Sequence, residues 1–136
     1  MNRLPAVISA VEIHGSIAVV EADVGAHRFA ATLIGAGEDV AAWRSGMAAT
    51  LLFKETEVSL AKNLSGLISM RNRIPATIVA IEQGALLAKV TLDFQGHVIA
   101  SVITTRSAHR LALAVGDAVE ALIKANEMTV LPEQAA

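Results

Sequence analysis

The 136-residue sequence contains no cysteine and few aromatic residues. The lack of cysteine excludes disulfides, thiolate metal ligands and cysteine nucleophiles, so we expect no thiol-based redox chemistry. Aromatic residues make up 3% of the chain, too few for the stacking surfaces with which proteins hold single-stranded nucleic acid. The formal net charge of -2 also gives no basic surface for a phosphate backbone. Nucleic acid is therefore not an expected partner.

Long hydrophobic runs are missing as well, although 54% of the residues are hydrophobic and only 18% are charged. No run reaches the roughly 18 apolar residues typical of a membrane-spanning helix, so we predict no membrane span. The first residues do not divide into the basic, long apolar and cleavage regions of a secretory signal, which favours a cytoplasmic location. A chain with this much apolar content exposes apolar surface that association with other copies would bury, and we therefore expect a homo-oligomer.

The chain repeats itself at a spacing of 70 residues. The segment at 2–6, Asn-Arg-Leu-Pro-Ala, matches the segment at 72–76, Asn-Arg-Ile-Pro-Ala. The same offset, without a gap, pairs Glu12 with Glu82, Val20 with Val90, Asp23 with Asp93, His27 with His97, Gly46 with Gly116, Lys54 with Lys124 and Glu57 with Glu127. The repeat predicts two copies of one fold. A polar, glycine-containing join at 62–66 divides the chain into domains at 1–65 and 66–136.

Each copy alternates short β-rich runs with turn signals. In the second copy the predicted strands are Ile74–Ile81, Leu86–Phe94, His97–Ile103, Ala118–Lys124 and Met128–Leu131, and a helix at Ser107–Leu113 has Ser107 as its N-cap. The first copy follows the same order. The sequence therefore predicts an all-β fold of two tandem OB-like five-stranded barrels, each with one short helix between its third and fourth strands.

No known catalytic motif is present, whether a glycine-rich phosphate loop, a His-Glu metal motif or a nucleophile elbow. The carboxylates are scattered, and the four histidines have no metal-ligand spacing. Trp43 aligns with Leu113 of the second copy, which favours a place in the core or an interface. We predict neither an enzyme nor a metal-cation site.

Hydrogen-bond donors and positive charges gather in three segments of the second copy, at 69–72, 104–107 and 124–125. A tetrahedral dianion needs several converging donors and one or two cations, which Arg71 and Lys124 could supply. Thr104 and Ser107 lie at the start of the predicted helix, where backbone N–H groups favour an anion. Ordinary structural roles also explain the same residues: Ser107 could simply cap the helix, and both cations could be solvated charges at strand ends. Spacing alone leaves both explanations open.

The second copy resembles the Mop or TOBE molybdate-binding domain, and the first resembles it more weakly. The matching segments are 69–75, 82–84, 88–92, 102–107, 113–116 and 121–125. Two such domains, without an ATPase motif or a DNA-binding segment, resemble a two-domain molbindin. The resemblance implies binding of molybdate or tungstate without covalent change, at sites where domains meet in an oligomer of three chains, with a dimer as the alternative.

The resemblance also implies which residues bind the oxyanion: Ser69, Met70, Arg71, Thr104, Ser107, Lys124 and Ala125. The first copy has lost most of these donors, since Ile34, Gly37 and Met1 stand where the second copy has Thr104, Ser107 and Arg71. Lys54 survives as a weaker candidate, but Glu55 follows it, and a carboxylate would repel a dianion. We expect the second copy to carry most of the binding.

Two functions from different classes follow. The first is non-catalytic oxyanion binding for intracellular molybdenum storage, buffering or sensing. The alternative is a regulatory interaction module that pairs with a molybdate transporter ATPase or a regulator, with ligand binding weak or lost. The degenerate first copy motivates this alternative.

Overall fold

The computed structural model describes residues 1–35 and 37–133, apart from the side chains at 37 and 38. The first half contains β1 (Asn2–His14), β2 (Ile17–Val24), β3 (His27–Ile34), α1 (Gly37–Ala41), β4 (Ala48–Phe53), a 3-10 turn (Glu55–Glu57) and β5 (Ser59–Ala61). The second half contains β6 (Asn72–Gln83), β7 (Leu87–Phe94), β8 (His97–Thr104), α2 (Thr105–Arg110), β9 (Ala118–Ile123), a 3-10 turn (Ala125–Glu127) and β10 (Thr129–Pro132). None of the helices in these residues is long and apolar enough to cross a membrane.

Alternating side chains build the strands. Along β1, Leu4, Ala6 and Ile8 are buried while the residues between them are exposed, and β6 repeats the pattern. This period of two is that of a half-buried strand. The turn between β7 and β8 is formed by Gln95 and Gly96, both with positive φ, as a tight hairpin requires. The hairpins predicted from the sequence are thus present.

The strands form two five-stranded antiparallel sheets, and each sheet takes its fifth strand from the other half. The orders are β10-β4-β1-β2-β3 and β5-β9-β6-β7-β8. Val130 of β10 lies opposite Leu51 of β4, and Leu60 of β5 lies opposite Ala121 of β9. The predicted number of strands and the position of the helices are confirmed. The expectation that each copy completes its own sheet is not met, because the last strand crosses to the other half.

The two halves share one hydrophobic core. Buried residues of both halves form a single cluster, in which the rings of Phe29 and Phe94 meet edge to face at a centroid distance of 6.0 Å. Trp43 and Leu113 pack against this cluster, half-buried. Units of this size bury a smaller fraction of their surface than larger domains do and are only marginally stable alone. The shared core and the exchanged strands therefore make each half depend on the other.

Edge strands β3 and β8 are held by asparagine side chains from the opposite half. The buried Asn2 amide donates to the Ala100 carbonyl at 2.8 Å and accepts from the Ala100 N–H at 2.8 Å. These bonds satisfy backbone groups that an edge strand would otherwise expose. The first strand of each half is thereby attached to the third strand of the other.

Helix α2 begins earlier than the sequence predicts. Thr104 is the N-cap, and its hydroxyl accepts a hydrogen bond from the Ser107 N–H at 3.1 Å. The predicted N-cap at Ser107 is therefore wrong. A cap three residues before the N–H that it satisfies is the usual geometry, and a Thr-x-x-Ser sequence allows either hydroxyl to be placed as the cap. Lys62 lies at the other end of the helix, donating to the carbonyls of Leu111 and Ala112 at 3.2 and 3.0 Å.

Candidate functional site

A pocket of about 190 Å³ lies between the two halves. It is lined by Thr32, Ser69, Met70, Arg71, Lys124, Ala125 and Asn126. Five of the seven predicted site residues therefore meet here, although they come from two segments more than 50 residues apart. The antiparallel pairing of β6 with β9 makes this possible, because Asn72 lies opposite Ile123. Thr32 joins them because β3 of the first half packs against the 3-10 turn that precedes β10.

The pocket combines two cations with backbone donors. Arg71 and Lys124 supply the charge, and Ser69–Arg71 lies outside every helix and strand, so its N–H groups belong to no sheet ladder. Ala125 and Asn126 begin a 3-10 turn whose internal bonds start at the N–H of Glu127. The first N–H groups of such a turn have no partner inside it. Donors on several sides and a positive balance are what a small anion requires.

The volume is suited to a small oxyanion. One oxygen atom the size of a water molecule needs roughly 10–15 Å³ of pocket volume. Four oxygens therefore fit in the pocket together with some water. A larger organic ligand would have little apolar surface to bury among these lining residues, of which only Met70 carries a long apolar side chain.

Two carboxylates lie next to residues that line the pocket. The Arg71 Nη2 contacts the Glu21 Oε2 at 2.8 Å. Glu127 follows the pocket residue Asn126, and desolvation together with the nearby Glu57 raises the pKa of the Glu127 carboxyl. Lys124 acts in the opposite direction on that pKa. The cations of the pocket are thus already partly balanced by the protein itself.

Thr104 and Ser107 are not among the residues that line this pocket. The Thr104 hydroxyl lies 2.9 Å from the Ser107 hydroxyl, and Ser107 lines a different cavity of about 270 Å³, beside Arg110. Within one chain the structure therefore separates the Thr-x-x-Ser pair from the other predicted site residues.

The repeat places a second, equivalent position on the chain, and the residues there have different chemistry from those of the pocket. Val102 stands there for Thr32, and the 3-10 turn carries Glu55 where the pocket has Ala125. The Glu55 carboxylate lies 3.9 Å from the Lys89 amine, and Lys54 lies 3.9 Å from the Glu57 carboxylate. Both lysines near this turn thus have carboxylate neighbours.

Thr32 and Asn126 line the pocket but were not predicted. Asn126 directly follows the recognised Lys124-Ala125 pair and could have been found by extending that motif one residue. Thr32 belongs to the half that has lost its donors, yet it aligns with the apolar Val102. The only sequence signal for Thr32 is that it is polar where the better-preserved copy has valine. Its meaning depends on the strand exchange, which the repeat does not reveal.

Among the described residues, no group of three or more histidine, aspartate and glutamate side chains is arranged to hold a metal ion. His27 lies near the Phe29 and Phe94 rings, at centroid distances of 5.0 and 5.5 Å. Desolvation lowers the pKa of His27. Its surroundings are those of a packing residue between the halves.

Residues 68–130 match the TOBE domain model. The chain is 42% identical over 76 residues to the molybdenum import ATP-binding protein ModC of Brucella abortus (strain 2308). The matched segment covers 55% of this chain and 21% of ModC. It is 29% identical over 136 residues to the molybdenum transport protein ModE of Herbaspirillum seropedicae, covering 98% of this chain and 51% of that protein. The chain thus spans a fifth to a half of these relatives.

Among solved structures, the chain is similar to the cytoplasmic molybdate-binding protein ModG, crystallised with molybdate bound. The TM-score is 0.89 and the sequence identity 28%, and the match covers 96% of this chain and 94% of ModG. The predicted relationship to the Mop and TOBE domains is confirmed, as is the predicted pair of OB-like domains. The TOBE domain match is thus confined to residues 68–130, whereas the two-domain fold of ModG extends over nearly the whole chain.

Proposed function

We propose that this protein binds molybdate, or tungstate, as an intact oxyanion and does so without catalysis. The observation that carries the proposal is the pocket between the halves, which gathers Ser69, Met70, Arg71, Lys124 and Ala125 around two positive charges. The relatives support the choice of ligand, since ModC, ModE and ModG are all described as molybdenum or molybdate proteins. Storage, buffering or sensing of molybdenum in the cytoplasm would follow, a location supported by the description of ModG as cytoplasmic.

Isothermal titration of the full chain tests this function directly. Molybdate and tungstate should release or absorb heat and saturate, whereas sulfate and phosphate should bind much more weakly. The four ions share tetrahedral shape, so discrimination must come from the size of the ion and the positions of the donors. The absence of any saturable signal with molybdate and tungstate would contradict the proposal.

We further propose that a second copy of the chain completes the site. The pocket has Arg71 and Lys124, while the Thr104 and Ser107 hydroxyls, which the resemblance assigns to the same ligand, lie elsewhere on the chain. Exposed apolar side chains near α2 offer a surface for assembly: Leu86 is 81% exposed and Leu87 56%. Exposed apolar side chains of this kind mark interaction surfaces when they cluster.

A trimer is the assembly we favour, and a dimer is the alternative. Light scattering after size exclusion gives the mass directly. A Thr104→Val variant that keeps the oligomer but binds molybdate more weakly would support a shared site. A monomer that binds molybdate with full affinity would overturn it.

The similarity to part of a transporter ATP-binding protein favours one other function, that of a regulatory module that binds such a transporter or a regulator. Affinity capture with the cognate ATPase, with and without molybdate, separates the two functions. A tight complex formed by a chain that does not bind the oxyanion would favour the regulatory module.

A further inference from the structure

We propose that Glu21 is an internal counter-ion of the pocket, which competes with the bound oxyanion for the Arg71 guanidinium and so lowers the affinity. This inference rests on the proposed function, because it concerns the same pocket. Glu21 belongs to β2 in the first half, outside all the segments that the family resemblance assigns to the ligand. It is therefore a candidate for setting affinity that the sequence motifs do not contain.

The contact itself is short and joins the two halves. The Arg71 Nη2 lies 2.8 Å from the Glu21 Oε2, with the side chains 53% and 26% exposed respectively. Charge-assisted hydrogen bonds of this length are among the stronger ones. Arg71 is thus held towards the first half by a carboxylate at the same time as it lines the pocket.

The sheet register places Glu21 close to the pocket wall. Glu21 lies opposite Ala30 in the β2–β3 ladder, and Thr32, which lines the pocket, is two residues beyond Ala30 on the same face. Diagonal neighbours of this kind lie roughly 7–8 Å apart. A dianion in contact with Thr32 and Arg71 would therefore experience the negative charge of Glu21 at short range.

Two consequences follow for binding. The dianion has to share or replace a hydrogen bond that Arg71 already makes, and it is repelled by the carboxylate that made it. Both effects reduce affinity, and both disappear when the carboxylate is replaced by an uncharged amide. The pseudo-equivalent position of Glu21 in the second half is Thr91, so β2 and β7 differ in charge at this point, and threonine is compatible with the strand.

The test is isothermal titration of the full chain with molybdate, comparing the natural protein with Glu21→Gln. We expect Glu21→Gln to bind about two- to fivefold more tightly, the range set by partly exposed ion pairs. Asp23→Asn is the matched control. It removes a carboxylate two residues along β2, whose partner Arg28, at 2.9 Å, does not line the pocket. That control should change the affinity less than twofold.

A double-mutant cycle shows whether Glu21 acts through Arg71, which a purely structural role would not produce. In an Arg71→Ala background, the gain from Glu21→Gln should fall below half of its value in the natural background. Thermal unfolding of each variant checks the fold, and Glu21→Thr provides a second neutral residue that the repeat already places in the equivalent strand.

The outcomes separate the two proposals. If the natural protein binds molybdate and both neutral variants bind equally or more weakly, the counter-ion role is wrong. Weaker binding would show that Glu21 instead orients Arg71 for the ligand. An undiminished gain in the Arg71→Ala background would overturn the competition for Arg71, because direct repulsion by the carboxylate would then account for the whole gain. If neither the natural protein nor the Glu21 variants bind molybdate or tungstate, the proposed function itself fails and this inference fails with it.

Discussion

The side-chain amide of Asn72 pairs with the backbone of Ala30 as a neighbouring strand would. Its Nδ2 donates to the Ala30 carbonyl at 2.9 Å, and its Oδ1 accepts from the Ala30 N–H at 2.8 Å. The same Nδ2 also donates to the Ile123 carbonyl at 3.0 Å, and the side chain is fully buried. One asparagine thus joins the edge strand β3 of the first half to β9 of the second half.

Asn72→Ala should lower the free energy of unfolding by about 2–4 kcal/mol, because it leaves buried backbone groups of Ala30 and Ile123 without partners. Asn2→Ala should cost less, since Asn2 makes two such bonds rather than three. Urea unfolding followed by circular dichroism measures both. Gln83→Ala, at an exposed strand end, serves as the control. Equal stability of Asn72→Ala and the control would show that the amide bonds contribute nothing.

The strand exchange predicts that a change in β10 will loosen the first half of the chain. Val130 is 6% exposed and faces the core opposite Leu51 of β4, so Val130→Asp buries a charge there. Hydrogen exchange should accelerate in β4 more than in β9, although β9 is closer in sequence. Leu131→Asp is the control, because Leu131 is 52% exposed. Faster exchange confined to β9 would contradict the exchanged topology.

The cations of the pocket should contribute more to molybdate binding than the lysine at the equivalent place in the first half. Arg71→Ala and Lys124→Ala should each weaken molybdate binding by about tenfold or more, since each removes a charge-assisted contact. Lys54→Ala should change it less than twofold, because the turn at Lys54 carries Glu55 and Glu57. Titration calorimetry compares the three. Equal losses for Lys54→Ala and Lys124→Ala would remove the claimed asymmetry between the copies.

Lys62 should stabilise the protein in a pH-dependent way. Its amine lies 3.0 Å from the Asp117 carboxylate, and this hydrogen bond lowers the pKa of Asp117. A lowered carboxyl pKa stabilises the fold above the unfolded value, about 3.9, and this stabilisation is lost as the pH falls through the folded value. Lys62→Met should therefore lower the Tm at pH 7, with a smaller difference near pH 3.

The matched control for that prediction is Lys54→Met, whose side chain is 68% exposed and 3.9 Å from Glu57. It should change the Tm little at either pH. Part of the Lys62 effect should remain in acid, because the bonds to the Leu111 and Ala112 carbonyls do not titrate with the carboxylate. A pH-independent difference would assign the whole effect to those two carbonyls.

Much of the fold could be predicted from local patterns. The two-residue period of β1 and β6, the Gln95-Gly96 turn and the offset of 70 residues are properties of the sequence itself. The sequence also places the Thr-x-x-Ser segment at the start of α2, but it favours Ser107 as the cap, whereas the structure has Thr104 there. Both Thr104 and Ser107 are good N-caps, and the backbone conformation at Thr104 decides between them.

The candidate site could be predicted only in part. The motifs supplied Arg71 and Lys124, and the structure brings both to one pocket. Thr32 and Glu21 escaped prediction because they belong to the first half and reach the pocket across the interface between the halves. Their relevance depends on which strands are neighbours, and composition carries no signal of that.

The sequence by itself determined that the chain is a duplicated β domain, and that Thr104, Ser107 and Arg71 of the second copy are replaced by Ile34, Gly37 and Met1 in the first. It could not determine which half receives each final strand. β5 and β10 are equivalent strands that can pair with either β4 or β9, so local propensity is nearly the same for both arrangements. Only the tertiary structure, with its shared core and the amides of Asn2 and Asn72 at the edges, decided for the exchanged pairing. That choice places the first half's Thr32 and Glu21 beside Arg71.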